Sequence, residues 1–237
     1  MTRPTAIAAA RKFVPGERRP TRHGQALHCL VLAPGPDWVA VDLATGALLR
    51  APVAGDAAPL RLGAALTAVE FVLAASSLPP DPSRPEAVHV AGPPAPLPSP
   101  RRRAIRRLMG HLVSQSPERP LLGTLGPSIS YSDLEGCRPS VVVVVPDQRP
   151  RFGLGTAGPW CEFTVGGRSH AISYVGEPLW SARQPSPGGH DAGRQRASRS
   201  ALRAGAAATM SKYLVVGYGP PHRGQVPKVV LAALPSV

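Results

Sequence analysis

Cysteine, lysine, aromatic side chains and long apolar runs are all scarce in this sequence, and each scarcity removes a class of protein from consideration. The three cysteines, Cys29, Cys137 and Cys161, are odd in number and form no Cys-x-x-Cys pair. Neither a disulfide framework nor a thiolate zinc site is indicated, and a reduced, cytoplasmic setting is expected. No apolar run approaches the ~18 residues of a membrane-spanning helix. The short apolar stretch at residues 6–10 is closed by Arg11 and Lys12, which argues against a signal-peptide core, so no membrane association is expected. Aromatic residues make up only 5%, too few for a base-stacking platform; any nucleic-acid binding should be directed at the backbone and weak in sequence preference. The histidines at 23, 28, 89, 111, 170, 190 and 222 share no metal-ligand spacing, and no Gly-x-Ser-x-Gly elbow occurs. No catalytic residue, no metal and no cofactor is assigned, and a non-enzyme is favoured.

What is present is arginine, proline and glycine. The chain of 237 residues carries 27 bases against 14 acids, a formal net charge of +13, yet only Lys12, Lys212 and Lys228 are lysine. With 30 Pro and 24 Gly, this is the composition expected from a GC-rich genome. Codon bias selects arginine over lysine but does not create an excess of bases over acids, and that excess calls for a polyanionic partner or a solubility role. The charge is unevenly spread. Residues 24–98 hold Arg50, Arg61 and Arg84 against six acids, so the excess lies in residues 3–22, 101–107 and 183–203.

The hydropathy pattern predicts a mainly β (α+β) fold, with short antiparallel strands and hairpins in two β-rich units and two short helices. Residues 1–24 are basic, contain Pro4, Pro15 and Pro20 and read as a mobile arm. Residues 25–92 read as a small antiparallel β unit: strands at 26–32 and 38–43, a turn through Gly46, a third strand at 47–50, a further strand at 66–74 and a fifth at 86–91. Residues 93–116 combine a proline-rich linker, expected neither to pair nor to coil, with an arginine-rich amphipathic helix capped by Ser99-Pro100. Its apolar residues Ile105, Leu108, Met109, Leu112 and Val113 recur at spacings of three and four. Residues 117–237 read as a second β-rich unit, with a central valine strand at 140–145 and closing strands at 212–218 and 228–234. A disordered loop is expected near 181–193, and an Ala-rich helix from 195 to about 209. The sharpest local expectation is a hairpin in which Gly166-Gly167 joins 160–165 to 168–174, pairing Val165 with Arg168, Phe163 with His170 and Cys161 with Ile172.

Two short motifs are read as turns. Gly153-Leu154-Gly155-Thr156-Ala157-Gly158 has the spacing of a dinucleotide-binding loop, but Pro159-Trp160 leads into a hairpin instead of the helix that would receive a pyrophosphate. Residues 41–48 resemble the strand-turn-strand segment of quinoprotein-type propeller repeats. The resemblance covers eight residues and occurs once, and one copy cannot make a propeller.

The strongest functional signal is Arg101, Arg102, Arg103, Arg106 and Arg107. Most sit at a helix N-terminus, where the macrodipole already presents positive charge, so intramolecular electrostatics oppose them and a bound phosphate backbone would favour them. Arg196, Arg199 and Arg203 are spaced to line one side of the second helix and extend that surface. The leading expectation is a basic protein that binds nucleic acid or another polyanion through these clusters. Two alternatives stand beside it. One is an enzyme or small-ligand protein whose site is built from the 153–158 and 219–224 loops, with His222, Arg223 and Gly224 as the candidate ligand loop; the other is a protein-protein interaction role.

Overall fold

The computed structural model describes residues 23–35, 37–52, 65–75, 81, 83–114, 120–134, 139–176 and 211–237. Residues 1–22 of the expected basic arm, the 181–193 loop and the second helix with Arg196, Arg199 and Arg203 lie outside the described residues, while His23 and Gly24 bond to Ala75 and Leu73.

The fold is mainly β, in two sheets. The first contains β1 (Ala26–Ala33), β2 (Asp37–Asp42), β3 (Leu48–Pro52), β4 (Ala68–Val72) and β5 (Ala95–Pro96), in the order β3-β2-β1-β4-β5 with every pairing antiparallel. The expected meander of β1, β2 and β3 is present. Its second turn is built by Asp42, whose Oδ1 accepts from the Ala44 amide at 2.9 Å and Oδ2 from the Thr45 hydroxyl at 2.8 Å, while Gly46 takes φ +72°. Asp42 is buried, and its alanine variant would remove the charged acceptor of both the Ala44 and the Thr45 hydrogen bond. The expected cost is about 1–3 kcal/mol, read by urea denaturation; a change under about 0.5 kcal/mol would mean that the backbone hydrogen bonds of the turn and Gly46 hold it without the carboxylate.

The second sheet contains β6 (Ser128–Ser130), β7 (Val141–Val144), β8 (Arg151–Gly155), β9 (Gly158–Val165), β10 (Arg168–Tyr174), β11 (Ser211–Tyr218) and β12 (Gln225–Pro235). Its order is β7-β11-β12-β10-β9-β8, with β6 paired to β12. The β9–β10 hairpin has the expected register, including Val165 with Arg168, Phe163 with His170 and Cys161 with Ile172. A parallel pairing of β10 with β12 was not anticipated.

Four local expectations are corrected. Ala95–Pro96 does pair, as an edge strand on β4; proline lacks an amide but keeps its carbonyl, and an edge tolerates the missing donor. Residues 86–91 form isolated bridges at Ala87 and Val90 in place of a strand. The valine strand β7 lies at the edge of its sheet, buried there on both faces. The single described α-helix, α1 (Arg102–Ser114), begins after Ser99-Pro100, with Arg101 supplying the carbonyl that accepts from the Ala104 and Ile105 amides.

The sheets face one another across a shared apolar cluster. Leu30, Leu32, Val39 and Val41 from the first meet Val141, Val143, Val215 and Leu234 from the second, and α1 inserts Ile105, Met109 and Leu112 among them. The opposite face of each sheet carries its own cluster: Phe71, Val69 and Leu49 in the first, Phe163, Tyr174 and Val230 in the second. Strands buried on both faces need continuous apolar sequence, which is why β7 and β11 read as unbroken runs.

Polar groups also tie the sheets together. The Arg50 side chain, 1% exposed, donates from Nη2 to the Tyr218 carbonyl of β11 at 2.8 Å. The Glu86 carboxylate accepts from the Ser140 amide at 2.7 Å and from the Ser140 hydroxyl, directly before β7. Among the described residues Nε and Nη1 of Arg50 have no hydrogen-bond partner. Burial pushes the Glu86 carboxyl above its ordinary range, against the pull of the Ser140 bonds and of Arg50. Gly217 is required here, since an added Cβ would meet Nη2 of Arg50 at 2.9 Å and the Ser140 carbonyl at 3.1 Å.

Candidate functional site

Helix α1 separates its residues by chemistry. Ile105, Met109 and Leu112 are buried, whereas Arg101, Arg102, Arg103, Arg106 and Arg107 are exposed. At about 100° per residue, Arg102, Arg103, Arg106 and Arg107 fall within one sector of about 140°, with Arg103 and Arg107 opposite the apolar stripe and Arg102 and Arg106 on its flank. Arg106 donates from Nε to the Val237 carbonyl at 2.9 Å. Among the described residues no Asp or Glu side chain pairs with any of the five, and the first helical turn has no acid. The helix therefore presents guanidinium groups to solvent at the end where its own dipole is positive, a placement that costs electrostatic energy without an anion and favours phosphate when one binds.

No known protein family, no curated protein and no solved structure matches the chain.

The two loops of the small-ligand alternative are not brought together. Residues 153–158 form the β8–β9 hairpin, with Gly155 opposite Gly158. The Trp160 ring lies over Gly153 so closely that a Cβ there would fall 2.3 Å from it. This is glycine used for an aromatic contact, not for a phosphate cradle. His222, Arg223 and Gly224 form the exposed tip of the β11–β12 hairpin, in which His222 and Gln225 exchange backbone hydrogen bonds. Arg223 and Gly224 both have positive φ, +50° and +75°, as a primed hairpin turn requires. Because β12 runs parallel to β10 and β9 runs back against β10, this tip shares an end of the sheet with Gly166-Gly167. The 156–157 turn lies at the other end, the length of β9 away.

His170, Cys161 and Glu162 form no catalytic group. The His170 ring stacks on Phe163, with ring centroids 5.3 Å apart. Burial, assisted by the Glu162 charge, pushes the Cys161 thiol up to about 12, which leaves it inert at neutral pH. Glu162 pairs with Arg151 of β8. Among the described residues no three His, Cys, Asp or Glu converge on a metal position, and no helix is long and apolar enough to cross a membrane.

A feature absent from the sequence reading lies beside β10. Strand β12 pairs with β10 only at Val229 and Val230, then with β6 from Gln225 to Pro227. Where β12 exchanges partners, a cleft of about 320 Å³ opens between the 120–127 segment and Arg168–Ile172. The segment is pinned by Lys228, whose Nζ donates to the Thr124 carbonyl at 2.6 Å and whose amide donates to the Pro127 carbonyl at 2.7 Å. The Tyr218 hydroxyl holds the Leu122 carbonyl at 3.2 Å, at a residue with φ +56°. Lys228 is buried, and its ammonium is pushed down to about 8 by that burial. Burial, with the positive charges of Lys228 and Arg168, holds the His170 imidazole below its ordinary range.

Proposed function

We propose that this is a non-enzymatic basic protein that binds nucleic acid or another polyanion through the arginine face of α1. The observation that carries the reading is the exposure of Arg101, Arg102, Arg103, Arg106 and Arg107 at the start of the helix and along its solvent side, with no side-chain carboxylate paired to them among the described residues. Phosphates bound there would satisfy guanidinium forks and the helix N-terminus together. The rigid seating of Ile105, Met109 and Leu112 in the core supports the reading further, because it fixes the orientation of the face.

The experiment is fluorescence anisotropy of mixed-sequence RNA and DNA oligomers, titrated with the protein at about 50 and about 200 mM salt. Five neutralised phosphates give a log-log salt slope near −4.5, so affinity should fall about 500-fold across that range. Replacing all five arginines with alanine should abolish binding at the higher salt, and each single replacement should lower the slope by about one. Absence of binding at 50 mM, or an unchanged slope in the five-alanine protein, would refute the proposal.

A further inference from the structure

We propose that the cleft beside β10 takes the C-terminal end of an extended peptide, whose backbone pairs with the free edge of β10 and whose carboxylate meets Arg168 and His170. The free edge follows from the hydrogen-bonding pattern. The Thr164 carbonyl accepts from the Asp147 amide, so Thr164 turns its backbone groups away from β10, and its opposite number Ser169 turns its own away from β9. Alternation gives Ala171 the same direction as Ser169. Val175, further along, uses that direction to donate to the Val230 carbonyl of β12. Among the described residues no strand lies beside Ser169 and Ala171, because β12 has passed to β6. Two amides and two carbonyls therefore face the cleft, the alternating donors and acceptors to which an added strand binds.

Charge selects the end of the strand. Arg168 and His170 stand on one face of β10 at its open end, with the Lys228 ammonium behind the Thr124 carbonyl. Among the described residues no carboxylate lines the cleft, and the charges that act on His170 are those of Lys228 and Arg168, both unfavourable to its protonation. A group of bases without an acid repels itself, and one incoming carboxylate turns each of those interactions favourable. The remaining walls, Leu121, Pro127 and Ile172, with Leu125 76% exposed at the lip, suit the apolar side chains of a short peptide. The volume is that of a small-ligand site, enough for a few terminal residues and not for a folded partner. A small free anion would use the amides and leave both edge carbonyls unmatched, so the peptide accounts for more of the surface.

The test uses the full chain and a pool of N-acetylated tetrapeptides varied over Ala, Val, Leu and Thr, made as free acids and as C-terminal amides. Binding is followed by the amide resonances of Ser169 and Ala171. The free-acid pool is expected to shift both resonances and to bind at least tenfold more tightly than the amide pool. Arg168→Ala with His170→Gln, both outside the buried core, should bring the acids down to the level of the amides. N-methylation of the peptide amides should weaken binding at least tenfold, while the five-arginine alanine variant of α1 should bind the peptides unchanged. Equal binding of acids and amides, no shift at Ser169 and Ala171, or acetate binding as tightly as the acid pool would each overturn the proposal.

Discussion

Replacing Glu86 with alanine is expected to destabilise the protein by about 3–5 kcal/mol, because it leaves the buried Ser140 amide and hydroxyl without an acceptor and removes the largest of the negative charges that offset the buried Arg50. Glu86 is the acid that faces the Ser140 amide and hydroxyl, and its charge is the largest of those that favour the charged form of the buried Arg50. Its removal strands a guanidinium that already has two nitrogens without partners. The double variant Arg50→Met with Glu86→Ala should recover the part of that loss that comes from the uncompensated guanidinium and not the part that comes from the Ser140 donors, which still lack an acceptor. Urea denaturation of the two single variants and the double measures the coupling, and strict additivity would show that the pair does not act as a unit.

The same carboxyl gives a signed pH dependence. An acid whose folded-state pKa is raised contributes stability that is fully present below its ordinary pKa and is lost as pH rises through the raised value. Glu86 is such a group. The stability advantage of the natural protein over Glu86→Gln should therefore be greatest in acid and shrink as pH rises through the carboxyl range. A lead that grows with pH would place the Glu86 pKa below the ordinary value.

Local chemistry made some of this structure legible and long-range pairing hid the rest. The β9–β10 hairpin could be read residue by residue because a two-residue Gly-Gly turn fixes register, and one register alone separates Phe163, Cys161 and Ile172 from Glu162 and Thr164. The apolar run at 140–145 predicts a central strand, but hydropathy reports burial and not neighbours. Here α1 and the shared cluster bury an edge strand. The proline-rich stretch was read as unable to pair, although Ala95–Pro96 needed only an edge. The arginine face of α1 was visible in its spacing. The cleft beside β10 was not, because it depends on β12 leaving β10 for β6 and on Lys228 reaching Thr124 across 104 positions. Arg50 likewise enters the sequence only as one of three bases in residues 24–98, and nothing local marks it as the side chain that crosses from β3 to Tyr218.

Met109→Ala should cost about 2–5 kcal/mol, the range for truncating a buried long side chain where the surroundings relax only in part. Met109 is fully buried, packed among residues of both sheets, and it lies at the centre of the stripe by which α1 is held. The cavity would open beneath the arginine face, so the variant separates anchoring from charge. Met109→Leu keeps volume and polarity and should lose less than about 1.5 kcal/mol. At a temperature where the alanine variant is still folded, its salt slope for oligonucleotides should match that of the natural protein, since every guanidinium remains. The five-arginine alanine variant should behave in the opposite way, with stability retained and binding lost. A Met109→Ala protein that keeps its full stability would mean that α1 is not anchored through this side chain, and the orientation assigned to its arginines would fall with it.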